Sequence, residues 1–129
     1  MANIDIEGID KLFAKLDRVQ AISTLRPPMQ RSVYRLQRDM AQYPPARPGS
    51  SYIRTGTLGR RWTTQVTETS DGLTGKTGNN TSYGPFVQSQ MFQAAVHQGR
   101  WQTDEQVLER NREAIQADFE GTIQRELDR

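Results

Sequence analysis

The closing segment constrains the fold most. From Thr103 onward, Leu108, Ile115, Phe119, Ile123 and Leu127 fall on one face of a helix. Thr103 and Gln106, three residues apart, carry the side chains of a capping box, in which each satisfies the other's unpaired backbone N–H. Helical to its end, this stretch is about 37 Å long at 1.5 Å per residue, and Gly121 inside it costs about 1 kcal/mol relative to Ala. A helix of that length with one apolar stripe must bury the stripe, so the rest of the chain has to supply the surface that covers it.

The preceding residues read as that surface. Ile4 and Ile6 alternate with polar neighbours, predicting a short strand. After Gly8, Ile9, Leu12, Phe13, Leu16 and Val19 recur at helical spacing. Pro27 and Pro28 suit the first turn of a second helix, with Met29, Val33, Leu36 and Met40 following and the helix ending before Tyr43. Trp62, Thr64 and Val66 alternate with Thr63, Gln65 and Thr67. Asp71 and Gly72 then mark a turn into Leu73, Gly75 and Thr77, which predicts a β-hairpin. Gly78, Asn79 and Asn80 read as another turn, and Tyr83, Phe86 and Val87 as a further short strand that Pro85 places at an edge or a bulge. The expected fold class is α+β. Its small mixed or antiparallel sheet is packed by two N-terminal helices and one long C-terminal helix in a single domain over residues 1–129. Within it, YPPARPGSSYIRTGTLG, residues 43–59, exceeds the roughly 12 residues beyond which structureless loops become uncommon, so residues 43–61 are expected to form an extended, functional loop or arm.

Composition narrows the function. Only 34% of the residues are hydrophobic, a poor provision for a core, while the net charge of +2 lacks the self-repulsion of disordered chains. A small fold that completes its burial against copies of itself satisfies both. No apolar run approaches a membrane span and the start MANIDIEGID is polar, so neither a transmembrane helix nor a signal peptide is expected and the protein is placed in the cytosol or in something assembled there. Without Cys there is no disulfide or thiolate chemistry, and with His97 as the single His no His-pair metal motif exists. No cofactor or metal is expected, nor is an enzyme.

Charge is segregated along the chain. Residues 31–62 carry seven Arg against Asp39 alone, whereas residues 102–129 carry four Arg against eight acids. Of the 17 cationic residues 14 are Arg, the side chain suited to bidentate contact with carboxylates and phosphates. In the basic loop, Tyr43, Arg47, Tyr52, Arg54, Arg60 and Arg61 mix cation and aromatic in the manner of a nucleic-acid contact or a subunit contact. On the last helix, Asp104, Glu105, Glu109, Glu113, Asp118 and Glu120 form the matching acidic candidate interface. GLTGKTG, residues 72–78, imitates a phosphate-binding loop, but Ser70 stands where that motif needs Gly, and Asn79 and Asn80 break the helix that should follow. It reads as a hairpin strand.

Three motifs in order carry a resemblance: GIDKLFAKLD at the start, RTGTLGRRW at the loop exit (Arg54, Thr55, Gly56, Leu58, Trp62) and YGPFVQ (Tyr83, Pro85, Phe86, Val87). With the closing helix they make the chain resemble the tail-completion, or minor tail, family of long-tailed bacteriophages and prophages. The resemblance implies a sheet packed by helices and a non-enzymatic virion part at the head-proximal end of the tail. Such a part joins tail tube to head–tail connector, and related neck components form rings, commonly six-fold, around the channel through which DNA passes. The chain departs from the pattern after Val87, where Gln88, Ser89, Gln90, Met91 and Phe92 replace an acidic, aromatic and Gly run. It departs again at HQGRWQT, residues 97–103, where a Pro and Arg bearing segment is usual. The alternative reading is a phage-encoded, non-specific nucleic-acid-binding module that sets the basic loop on phosphates.

Overall fold

The computed structural model describes residues 4–42, 62–69, 72–79, 88, 93, 95 and 101–129. In chain order the elements are α1 (Ile9–Lys15), α2 (Arg18–Met40), β1 (Trp62–Thr69), β2 (Gly72–Asn79) and α3 (Asp104–Leu127). The class is α+β, with two N-terminal helices and one long C-terminal helix around an antiparallel hairpin. The expected strand at Tyr83–Val87 lies outside the described residues.

The long helix α2 is the centre of the molecule, with the hairpin packed on it and α3 alongside. Leu12, Ala21, Leu25, Ile115, Phe119 and Ile123 form the buried cluster that joins α1, α2 and α3, and Ile4, Ile6, Met29, Leu36 and Leu73 pack against it. The capping box at Thr103 is present in full, with Gln106 N donating to Thr103 Oγ1 and Thr103 N donating to Gln106 Oε1. Along α3 the burial stripe runs Val107, Asn111, Ile115, Phe119, Ile123, so the buried series includes one amide that apolar periodicity passes over.

The N-terminal helices divide differently from the sequence expectation. Leu16 turns extended (φ −114°, ψ 154°) and ends α1, and Asp17 starts α2 with its own capping box to Gln20. The predicted first helix therefore stops short of Val19, which is 77% exposed at the start of α2. Pro27 and Pro28 lie inside α2 and not in its first turn. Each removes one N–H from the helix ladder, and an internal Pro costs about 3 kcal/mol or more. The helix persists because both of its halves are buried: Ala21, Ile22 and Leu25 before the prolines, Pro28 itself, and Val33 and Met40 after them. Tertiary burial overrides the local breaker.

Ile4 and Ile6 form no strand. They are half-buried while Asp5 and Glu7 are exposed, so the alternation specified burial on the core without a ladder, and Glu7 N is instead taken up by Glu120 Oε1 at 3.1 Å. Gly8 precedes α1 at φ +90°, and a Cβ there would stand 3.1 Å from Ile123 Cγ2, so both the backbone conformation and the close approach of α3 require glycine.

The hairpin pairs Thr64 with Thr77, Val66 with Gly75 and Glu68 with Leu73. Trp62, Thr64 and Val66 are half-buried and Thr63, Gln65 and Thr67 exposed, as the alternation requires. Gly78 and Asn79 continue β2 and are not the turn predicted there. Against α2 the fit is close: Thr77 Oγ1 donates to Val33 O at 2.8 Å, and Gly75 lies flat over Met29 and Val33.

Candidate interaction surface

The seam between α2 and α3 holds two ion pairs that join the helices. Arg31 donates from Nε and Nη2 to both oxygens of Asp118, at 2.8 and 2.7 Å. Eight residues further along α2, Asp39 accepts from Arg110 Nε at 3.1 Å and from Asn111 Nδ2 at 2.7 Å. Residue 31 meeting 118 while 39 meets 110 and 111 fixes the two helices as antiparallel. Burial alone would raise the Asp39 carboxyl, but hydrogen bonds from Asn111 and Arg110, with the charges of Arg110 and Arg38, hold it below the usual carboxylate range. Asp118 is likewise held low, chiefly by its hydrogen bonds from Arg31, aided by the charges of Arg31, Arg35 and Arg125, and that same contact raises the Arg31 guanidinium.

Two carboxylates thus stand among five guanidinium groups, those of Arg31, Arg35, Arg38, Arg110 and Arg125. Arg31, Arg35 and Arg38 also line a shallow depression with Pro27, Gln30, Tyr34 and Gln37, in which Tyr34 is 61% exposed. On the back of α3, facing away from its buried stripe, Glu109 and Glu113 are exposed and Glu105 half-buried, a run of acids at four-residue spacing.

The C-terminal end of α2 is clamped by side-chain amides. Gln102 Nε2 donates to Asp39 O and, at 3.2 Å, to Gln42 O, while its Oε1 accepts from Arg110 Nη2 at 2.6 Å. Gln88, itself buried, donates to Met40 O at 2.9 Å. These bonds add side-chain donors to the carbonyls at and just past the end of α2, where Asp39 O also accepts from Gln42 N at 3.3 Å.

Of the residues singled out from the sequence, Tyr43, Arg47, Tyr52, Arg54, Arg60 and Arg61 lie outside the described residues. The acids of α3 fall into different roles. Asp118 is engaged with Arg31 and Glu120 with Glu7 N and Gln116, so both serve internal packing. Asp104 Oδ1 accepts from Glu105 N at the helix start, where the dipole favours anions, and Glu109 contacts Arg112 at 3.2 Å on the surface. Glu109 and Glu113 remain presented outward, and Glu105 is half-buried. Sequence reading missed the seam itself, although the signal was there: the Arg run at 31, 35 and 38 shares one helix face, and Arg110, Asp118 and Arg125 share another.

An apolar cleft of about 360 Å³ opens between the N-terminal segment, α2, β2 and α3, lined by Ile4, Phe13, Met29, Leu73 and Leu108 among others. Ser32 also lines it, with its hydroxyl donated to Pro28 O at 2.7 Å, so the lining offers carbon and no free polar group from that residue. Among the described residues no group of three His, Cys, Asp or Glu side chains could hold a metal ion, and no helix is long and apolar enough to cross a membrane. Compared with known proteins, the chain matches no family model, no curated protein and no solved structure.

Proposed function

We propose that the protein is a structural virion component of the tail-completion type, which closes the head-proximal end of a phage tail and joins it to the head by assembling around the DNA channel. The observation that carries the reading is the clamped end of α2, which immediately precedes the Arg-bearing segment 43–61 in the chain: Gln102, Arg110 and Asn111 hold it against the start of α3, and Gln88 donates to Met40 O. A basic segment that faces passing DNA benefits from a rigid root. The order of helices, hairpin and long closing helix also supports the reading, since the motif resemblance implies a sheet packed by helices. In this role the chain performs no bond chemistry. Its partners are other copies of itself, the tail tube and the connector, with DNA passing as a non-specific contact.

Light scattering with negative-stain microscopy, across concentration and salt and with purified tail tubes, tests the role. Rings, or protein seated on tube ends, are the expected outcome. A salt-independent monomer that ignores tubes overturns it.

A further inference from the structure

We infer that the outward acidic run of α3, Glu109 and Glu113, docks on the arginine seam of a second copy, so that the copies associate head to tail. The inference rests on the assembly reading above and specifies its interface.

The two surfaces match in spacing. Glu109, paired on the surface with Arg112, and Glu113 are four residues, about 6 Å, apart along the helix, and Arg31, Arg35 and Arg38 recur at four and three residues, about 6 and 4.5 Å apart. One helix row can therefore lie along the other with each carboxylate near a guanidinium. The seam is also prepared to receive them. Arg31 commits Nε and Nη2 to Asp118, which fixes the plane of its guanidinium, while Arg35 and Arg38, with no bidentate partner among the described residues, act on Asp118 and Asp39 by charge. Incoming carboxylates would meet Arg35 and Arg38, which line the same depression as Arg31. Tyr34, 61% exposed in the same depression, offers a ring face to the hydrocarbon stems of the arriving Glu side chains.

The placement of the two surfaces sets the symmetry. The acidic run faces away from the buried stripe of α3, whereas the seam opens on the side where α3 meets α2. They are different faces of one molecule, and a contact between unlike faces is heterologous, which propagates into a ring or a filament. Arginine suits this contact better than lysine because its fork meets a carboxylate with two parallel hydrogen bonds.

The test uses charge variants of the full chain, followed by sedimentation velocity in low and high salt, alone and on purified tail tubes. Glu109→Arg with Glu113→Arg reverses the run, and Arg35→Glu with Arg38→Glu reverses the seam. Arg35→Ala with Arg38→Ala covers the case in which reversal beside Asp39 and Asp118 harms folding, which circular dichroism reports. Arg47→Ala with Arg54→Ala in the basic segment is the comparison. Expected are salt-sensitive assemblies that each seam or run variant loses by at least tenfold in apparent affinity, that the comparison variant retains, and that the two reversals restore when a run-reversed chain is mixed with a seam-reversed one. Assemblies indifferent to the seam and the run but lost in the comparison variant overturn this interface and leave the assembly role standing. No assembly under any condition overturns both.

Discussion

A methyl group at position 75 has no room. An ideal Cβ there would stand 2.6 Å from both Met29 Sδ and Val33 Cγ1, because β2 crosses α2 with its backbone in contact with the helix side chains. The methionine sulfur can swing aside, but a valine on a helix has essentially one χ1 choice, so the hairpin must lift or α2 must bend. Gly75→Ala is expected to cost about 1–3 kcal/mol, the usual range for overpacking, measured by urea denaturation. Gly78→Ala is the internal control, since nothing lies within 4 Å of a Cβ at that exposed site, and it should be neutral. Val33→Ala in the Gly75→Ala background should recover part of the loss, which separates a steric cause from a general loss of strand quality.

Between elements, α1 and α3 are fastened by a single cation at a helix end. Lys15 Nζ donates to the main-chain oxygens of Glu126, Leu127 and Arg129 at 2.6, 3.3 and 3.0 Å, meeting the negative end of the α3 dipole. Lys15→Met should lower stability by about 0.5–1 kcal/mol and speed amide exchange in the last turn of α3 selectively, with the first turn unchanged. A uniform change along α3 would mean that Lys15 acts through general packing. This contact was not legible in the sequence, because residues more than a hundred positions apart carry no local sign of meeting. What was legible depended on periodicity and caps. The α3 start was readable from Thr103 and Gln106, and the hairpin from alternation around Asp71 and Gly72. The same capping rule applied to Asp17 and Gln20 marks the true start of α2, but Pro27 and Pro28 are the stronger local signal and pointed to the wrong turn. Propensity at the prolines lost to burial on both sides of them. The candidate site shows the same division: the acidic run on α3 could be read from composition, whereas the seam needed the antiparallel pairing of 31 with 118 and 39 with 110.

At the scale of the whole molecule the charge segregated along the chain becomes charge folded against itself. The Arg-rich stretch and the acidic stretch meet along α2 and α3, and the two carboxylates they enclose tie stability to pH. Asp39 and Asp118 both have folded pKa values below the ordinary carboxylate value of 3.8. Between the folded and unfolded values the unfolded chain binds more protons, so stability rises with pH there. Their contribution is complete above the unfolded value, near pH 4 and upward, and is lost as pH falls through the folded values below it. Thermal midpoints should accordingly be level from about pH 8 to 5 and drop below about pH 4. Asp118→Asn removes one of the two linked groups. It should lower the neutral-pH stability by on the order of 1 kcal/mol, as expected for a half-exposed ion pair, and make the acid-side drop shallower than in the parent. Arg31→Gln should have the same effect on the slope, because the depressed carboxyl owes its shift first to the hydrogen bonds from that guanidinium. An unchanged acid slope in both variants would show that the seam carboxylates do not govern the acid limb.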